Sequence, residues 1–291
     1  MKKVDLSIVN DEFLKSYLDS IDTGEITISL KKLKPQSKFK NIVDNLENII
    51  KSDITKIQTE YLTLLHHCST KEKKKIENIF NYSVYRQKDK FMEHFKKLNI
   101  KSCPFCNNNY IYFYKKDAGK YNTLATLEHY YPKAKYPHLS LSFYNLIPCC
   151  SICNSKFKGN ETHEGEIIHP YYDDFNAKAE FSVKLKKFEK SLEFDIDLKT
   201  YDEKSKASVD RFKLDEIYKE HNDIAKEIWN KAQYYNESRI DELYDEFYQK
   251  LGYTKEDVKN MVFCNYLHKE DINKRNHSKL TQDILKQFEI K

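Results

Sequence analysis

Cys103-Pro104-Phe105-Cys106 and Cys150-Ser151-Ile152-Cys153-Asn154 bracket the stretch on which the reading of this chain turns. Between them stand Leu127-Glu128-His129 and Tyr144-Asn145-Leu146-Ile147-Pro148. Two Cys-x-x-Cys pairs separated by 43 residues thus enclose an acid, a histidine and an asparagine. Two thiolates three positions apart reach one ion from a tight turn, and Zn²⁺ takes four such ligands as a tetrahedron with no position left for water. Cys103, Cys106, Cys150 and Cys153 are therefore expected to hold a structural zinc, with Pro104 favouring the sharp turn of the first pair. Buried cysteines without metal, or disulfides, are the alternatives. The chain opens on Met1-Lys2-Lys3-Val4-Asp5 without an apolar signal core, which points to the cytoplasm, where thiols stay reduced. Cys149 is a spare thiol or an alternative ligand, and Cys68 and Cys264 read as core residues.

Inside the bracket, residues 123–127 are β-branched and apolar enough for a short strand that delivers Glu128 and His129 at its end. A loop marked by Pro132 and Pro137 follows. A second short strand is expected over residues 145–147, stopped by Pro148, and then a helix over residues 153–158, ended by Gly159. Strand, loop, strand and helix make a ββα unit, with the zinc tying the segment before the first strand to the start of the helix.

These residues resemble the HNH, or His-Me finger, nuclease family. Glu128-His129 matches the family's Asp-His pair, Asn145 its central Asn, and Asn154 its last position, which is His or Asn in different members. The Cys-x-x-Cys-Asn at the helix start resembles phage junction resolvases of the endonuclease VII type. The run from Glu128 through Tyr130-Tyr131-Pro132-Lys133-Ala134-Lys135-Tyr136-Pro137, with Tyr144-Asn145-Leu146-Ile147-Pro148 and Cys153-Asn154-Ser155-Lys156, is similar to bacterial HNH proteins of Septu and retron-type antiphage defence. The resemblance spans about 60 residues by motif count and departs from the family at Glu128, where Asp is commoner. It implies an endonuclease that hydrolyses phosphodiester bonds in DNA, leaving a 5′ phosphate and a 3′ hydroxyl. It also implies an effector role in antiphage defence beside an ATPase or a retron complex.

The chemistry agrees with that implication. Hydrolysis of a phosphodiester needs an activated water, charge stabilisation at phosphate and help for the leaving oxygen. A neutral His129 can take a proton from water near pH 7. Glu128 and Asn154 offer oxygen ligands to Mg²⁺ or Mn²⁺, a hard ion that also keeps waters and phosphate oxygens. Asn145 would hydrogen-bond the loop that aims His129. Lys133, Lys135, Lys156 and Lys158 would meet phosphates. Residues 94–160 hold ten Lys against Asp117 and Glu128, a balance of +8, while the whole chain is +5. Tyr110, Tyr112, Tyr114, Tyr121, Tyr130, Tyr131 and Tyr136 interleave with these lysines, some to stack on bases and more to pack a small core. Two other classes stay open: an RNA nuclease of the same fold, and a non-catalytic zinc-bearing module for nucleic-acid binding or assembly.

Outward from this stretch, the 291 residues can bury a sizeable core. Five glycines and six prolines against 22 Tyr and 17 Phe favour an α+β, predominantly helical chain with few tight turns. No run of about 18 apolar residues implies a membrane span. Three regions are expected: helical residues 1–100, the zinc-clamped nuclease core with a following hairpin at 101–200, and helical residues 201–291. In the first, residues 11–20 read as a helix. Residues 25–30 read as a strand from the alternation of Ile26 and Ile28, and residues 41–66 and 70–98 as two long helices. In the second, residues 181–185 and 192–198 alternate as a hairpin does. His169 is a secondary candidate for touching metal or phosphate, with His163 and His138 behind it. In the third, helices begin at Lys204, at Ile240 (ended by Gly252), after Thr254 (which caps with Asp257) and at Ser278.

Overall fold

The computed structural model describes residues 1–115, 121–157, 165–187 and 193–290. It is mixed α and β and mostly helical, with three two-stranded antiparallel sheets among the described residues.

The N-terminal third is a set of short helices: α1 (Asp11–Asp19), α2 (Thr23–Lys31), α3 (Lys40–Lys51), α4 (Ile54–Lys56), α5 (Thr70–Phe80), α6 (Tyr82–Tyr85) and α7 (Asp89–Lys97). Segment 25–30 is helix, not the expected strand. The Asp22 carboxylate caps it by accepting from Glu25 N at 2.9 Å, and Ile26 and Leu30, four apart, are both buried while Ile28 stands 58% exposed. The two long helices are also interrupted. Ser52 is extended (ψ 142°), Asp53 restarts the chain by accepting from Lys56 N, and α4 runs on into a π-helical turn, Ile57–Tyr61. Asn81 (φ 40°) ends α5 in the left-handed region, which Asn tolerates better than most residues.

These helices close on the central loop through aromatic packing. Tyr17 lies 5.2 Å from Phe91 and 5.2 Å from Phe143, and Phe95 stacks on Phe143 at 5.4 Å. The Tyr17 hydroxyl donates to Leu141 O at 3.0 Å.

In the middle third, β1 (Phe113–Lys115) pairs with β2 (Tyr121–Thr123), and β3 (Thr126–His129) with β4 (Leu146–Cys149). Pro148 does not stop its strand. Tyr130 N donates to Asn145 O, and alternation from that pair puts Leu127↔Pro148 at a position where the proline nitrogen points away from β3, so no ladder bond is lost. A π-helical segment, Ile152–Phe157, follows β4 and packs against β3. Gly159, expected to end this helix, lies outside the described residues.

The expected hairpin is present as β5 (Ala179–Lys187) and β6 (Glu193–Thr200), in register from Ala179↔Thr200. Leu192 lies outside the described residues. Helices cover both edges of this hairpin. Asp283 Oδ2 and Gln287 Oε1 accept from Phe181 N and Val183 N, and Asn222 both accepts from Phe194 N and donates to Phe194 O.

The last third carries α8 (Glu203–Phe212), α9 (Leu214–Lys219), α10 (Asn222–Tyr234), α11 (Glu237–Leu243), α12 (Lys255–Phe263) and α13 (Ser278–Gln287). Thr254 and Asp257 form the expected cap reciprocally, and Gly252 (φ +81°) ends the preceding helical run. One buried core draws on Tyr17, Phe95, Phe143, Phe181, Leu214 and Ile284, residues from all three thirds. No helix among the described residues is long and apolar enough to cross a membrane.

Candidate functional site

Cys103, Cys106, Cys150 and Cys153 converge. All four are at most 4% exposed, and their Sγ atoms lie within 4.8 Å of one another. A tetrahedral ion with Zn–S of about 2.3 Å places its sulfurs about 3.8 Å apart. Cys106 Sγ and Cys150 Sγ stand at 3.9 Å. The donor set and its spacing fit a zinc ion, and these four thiols can hold one.

The turn that presents Cys106 is built by the asparagines after it. Asn107 is left-handed (φ 49°) and fully buried, its amide donating to Ser102 Oγ and to the carbonyls of Ile272 and Arg275. Asn108 N and Asn109 Nδ2 point at Cys106 Sγ at 3.4 and 3.7 Å, and Cys153 N points at Cys150 Sγ at 3.4 Å. Such N–H···S bonds steady a thiolate. Burial pushes the Cys103 thiol well above its usual range, while hydrogen bonds from Cys103, Cys150 and Cys153 hold Cys106 well below it. Four buried thiols share few negative charges without a cation; a dication at their centre removes that conflict.

Cys149 is not part of this cluster. It faces Thr126 on β3, with Oγ1 at 3.4 Å from its sulfur, and burial raises its thiol well above the usual range. Cys68 is buried as expected. Cys264 is exposed rather than core, sitting left-handed at the end of α12. Asn107, Asn109 and Tyr218, whose hydroxyl donates to Cys106 O at 2.7 Å, support the cluster without having been singled out in the sequence. The legible signal was the Asn-Asn-Asn run after Cys106, since Asn adopts the left-handed turn such a knuckle needs.

Beside the cluster, β3 ends on Glu128 and His129, each 7% exposed. His129 Nε2 lies 3.1 Å from Ser140 O, and a carbonyl can only accept, so Nε2 carries a proton and donates it to that carbonyl. The Tyr82 ring meets the imidazole edge-on at 4.4 Å. The loop that supplies Ser140 O is fixed by Asn145, which is fully buried. Its Oδ1 accepts from Tyr131 N at 2.7 Å, and its Nδ2 donates to Tyr131 O at 3.1 Å and Leu139 O at 2.9 Å. Asn145 thus bonds both ends of the loop that holds His129. Asn154 is half-buried on the π-helical segment, its N–H bonded to Cys150 O at 3.1 Å. Because that segment packs on β3, the cluster fixes Asn154 relative to the strand carrying Glu128.

The lysines are less uniform than expected. Lys133 Nζ pairs with Glu77 Oε1 at 3.4 Å and leans over the Tyr82 ring, and Lys135 lies over the Tyr136 ring at 5.3 Å. Lys156 is exposed, and Lys158 lies outside the described residues. Tyr130, Tyr131 and Tyr136 are buried; Tyr110, Tyr112 and Tyr114 are exposed.

His169 is not placed to bind metal or phosphate. Its Nε2 donates to Tyr144 O at 3.1 Å and its Nδ1 accepts from Tyr171 N at 3.2 Å, so both nitrogens are committed to backbone. Burial lowers its pKa to about 3. His138 is likewise buried, bonded to Tyr61 O and lowered to about 4. His163 lies outside the described residues.

Known proteins add little to this geometry. No family model matches the chain, and no solved structure matches it. A stretch of 76 residues, 24% of this chain, is 34% identical to protein ea31 of Escherichia phage lambda and spans 21% of that protein's length.

Proposed function

We propose that this chain is a metal-dependent HNH-type endonuclease that hydrolyses phosphodiester bonds in DNA. The observation that carries the reading is the hydrogen bond from His129 Nε2 to Ser140 O. With Nε2 donating to that carbonyl, Nδ1 is the nitrogen at which the neutral ring would take up a proton, as a general base at a phosphodiester must near neutral pH. His129 takes the proton from the attacking water at Nδ1, while the Ser140 carbonyl stabilises the resulting imidazolium. Asn145 keeps that carbonyl in place through its bonds to Tyr131 and Leu139. Glu128 and Asn154 would hold Mg²⁺ or Mn²⁺. Two protein oxygen ligands suit an ion that completes its shell with water and substrate phosphate. When bound, the ion supplies charge neutralisation at phosphate and support for the leaving 3′ oxygen. The Cys103, Cys106, Cys150 and Cys153 cluster, with zinc, supports this arrangement by tying the Asn154 segment beside β3. An effector role in antiphage defence beside an ATPase or retron-type partner follows from the family resemblance alone.

The test is cleavage of plasmid DNA, single-stranded DNA and RNA with Mg²⁺ or Mn²⁺, comparing the parent with His129→Ala. Cleavage by the parent, reduced roughly 100-fold or more in the variant, is the expected result. Equal cleavage by both removes His129 from the role of base. Preference for RNA changes the substrate and keeps the chemistry.

A further inference from the structure

The segment between the first cysteine pair and β3 has an outward face that the catalytic reading does not use. Residues 110–114 are extended, with Ser102 bridged to Tyr110, Ile111 N bonded to Lys101 O, and Phe113 paired to Thr123. Successive side chains therefore alternate. Ile111 is 1% exposed and Phe113 half-buried, while Tyr110, Tyr112 and Tyr114 stand 40, 48 and 43% exposed on the other side. The Tyr110 and Tyr112 rings lie 5.5 Å apart and only 24° from parallel. Leu124, bonded through its N–H to Tyr112 O, adds apolar surface beside them at 62% exposure.

We propose that Tyr110, Tyr112 and Tyr114 form a stacking platform for the unpaired bases of a single nucleic-acid strand. Alternate side chains on a strand repeat at about 6.7 Å. The Tyr110 and Tyr112 rings have closed to 5.5 Å, less than the two stacking distances of about 3.4 Å each that an inserted base needs, so bases stack on the outward ring faces and not between these two rings. Charge favours the same occupant. Residues 97–114 carry Lys97 and Lys101, both exposed, and no acid, which suits a phosphate backbone and not a basic peptide. The platform is tied to the candidate site. Thr123 Oγ1 bonds both Tyr112 O (2.9 Å) and Ala125 O (3.1 Å), and β3 starts at the next residue. The six-residue path from Thr123 to His129 is at most about 20 Å, so a strand lying on the tyrosines reaches the site within a few nucleotides.

This inference rests on the nucleic-acid reading of the site but not on its catalysis, and the experiment keeps the two apart. Full-length His129→Ala protein is titrated into fluorescein-labelled oligo-dT, oligo-rU and a duplex of equal length, reading anisotropy at fixed salt. Tighter binding of single strands than of duplex is expected. Tyr112→Ala added to that background weakens single-strand binding roughly 10-fold, while Tyr112→Phe, which keeps the ring, leaves it unchanged. Photocrosslinking from 5-iodouracil is expected to map to the peptide containing Tyr110, Tyr112 and Tyr114. The oligo-dT and oligo-rU arms name the sugar. The platform is overturned if the Ala variant binds single strands as its parent does, or if duplex is preferred. If the parent protein cleaves nothing while Tyr112→Ala still weakens binding, the platform stands and the nuclease reading falls.

Discussion

Asn145→Ala is the perturbation whose effect follows most directly from the geometry. The side chain is fully buried and makes three bonds: Tyr131 N to Oδ1 at 2.7 Å, and Nδ2 to Tyr131 O and Leu139 O at 3.1 and 2.9 Å. Alanine removes the acceptor of the Tyr131 amide, costing about 1–3 kcal/mol, and one bond from each of two carbonyls at about 1 kcal/mol each, for about 3–5 kcal/mol in all. In a chain of this size that lowers Tm by roughly 6–20 °C. Asn145→Asp sharpens the test. It keeps the acceptor for Tyr131 N but turns a second oxygen toward Tyr131 O and Leu139 O, so at neutral pH it is expected to destabilise at least as much. Urea denaturation of the three proteins, followed by far-UV circular dichroism, measures both differences. Unfolding free energies within about 1 kcal/mol of the parent for either variant would refute the argument that Asn145 fastens the loop over His129.

Chelation tests the cysteine cluster. Purified protein is expected to hold one zinc per chain by elemental analysis. A structural zinc contributes on the order of 10 kcal/mol; if half of that is stability of the fold, its removal lowers Tm by roughly 10–20 °C. A metal-free chain with unchanged Tm would sink the structural role. The buried imidazoles of His138 and His169 predict a pH dependence. Burial sets their folded pKa values at about 4 and about 3, below the ordinary 6.5, so the unfolded chain takes up their protons first as pH falls. Their contribution is full above about pH 6.5 and declines toward about pH 4 for His138 and about pH 3 for His169, at up to about 1.4 kcal/mol per pH unit for each. An unfolding free energy that stays level between about pH 6 and about pH 5 contradicts this. Asn222→Ala is expected to destabilise by about 1–3 kcal/mol, because it strips both bonds from the Phe194 backbone at the edge of β6; a loss below about 0.5 kcal/mol shows that edge to be satisfied by water.

Much of the fold was legible where the signal is short-range. The cap of Thr254 with Asp257, the left-handed Gly252 and the alternation of β5 and β6 each depend on residues a few positions apart, and each formed as expected. Periodicity failed where a cap or a break outweighed it. Ile26 and Ile28 alternate, but the Asp22 cap and the four-residue spacing of Ile26 and Leu30 make a helix. Ser52 and Asn81 broke apolar patterns that read as continuous, because a stripe of buried residues continues across an interruption. Pro148 entered a strand because the register points its nitrogen away from β3, and register is not written in the proline itself.

By itself, the sequence determined which chemistry-bearing residues the chain holds and how they are spaced. Four cysteines in two turns imply one tetrahedral site, and an acid-histidine pair at a strand end can be only so far from it. Tertiary structure decided the assignments among chemically equivalent groups. Cys150 and not its neighbour Cys149 joined the cluster, because adjacent residues at the end of β4 face opposite ways. His129 and His169 are the same side chain, yet the loop carbonyl of Ser140 meets Nε2 of His129 while the backbone occupies both nitrogens of His169. Lys133 was drawn to Glu77, 56 positions earlier in the chain and adjacent only in space. The physical reason is common to all three. A residue's type and local spacing set what it can do, but its protonation, partner and exposure depend on groups brought to it by packing, and those contacts are not encoded in neighbouring residues.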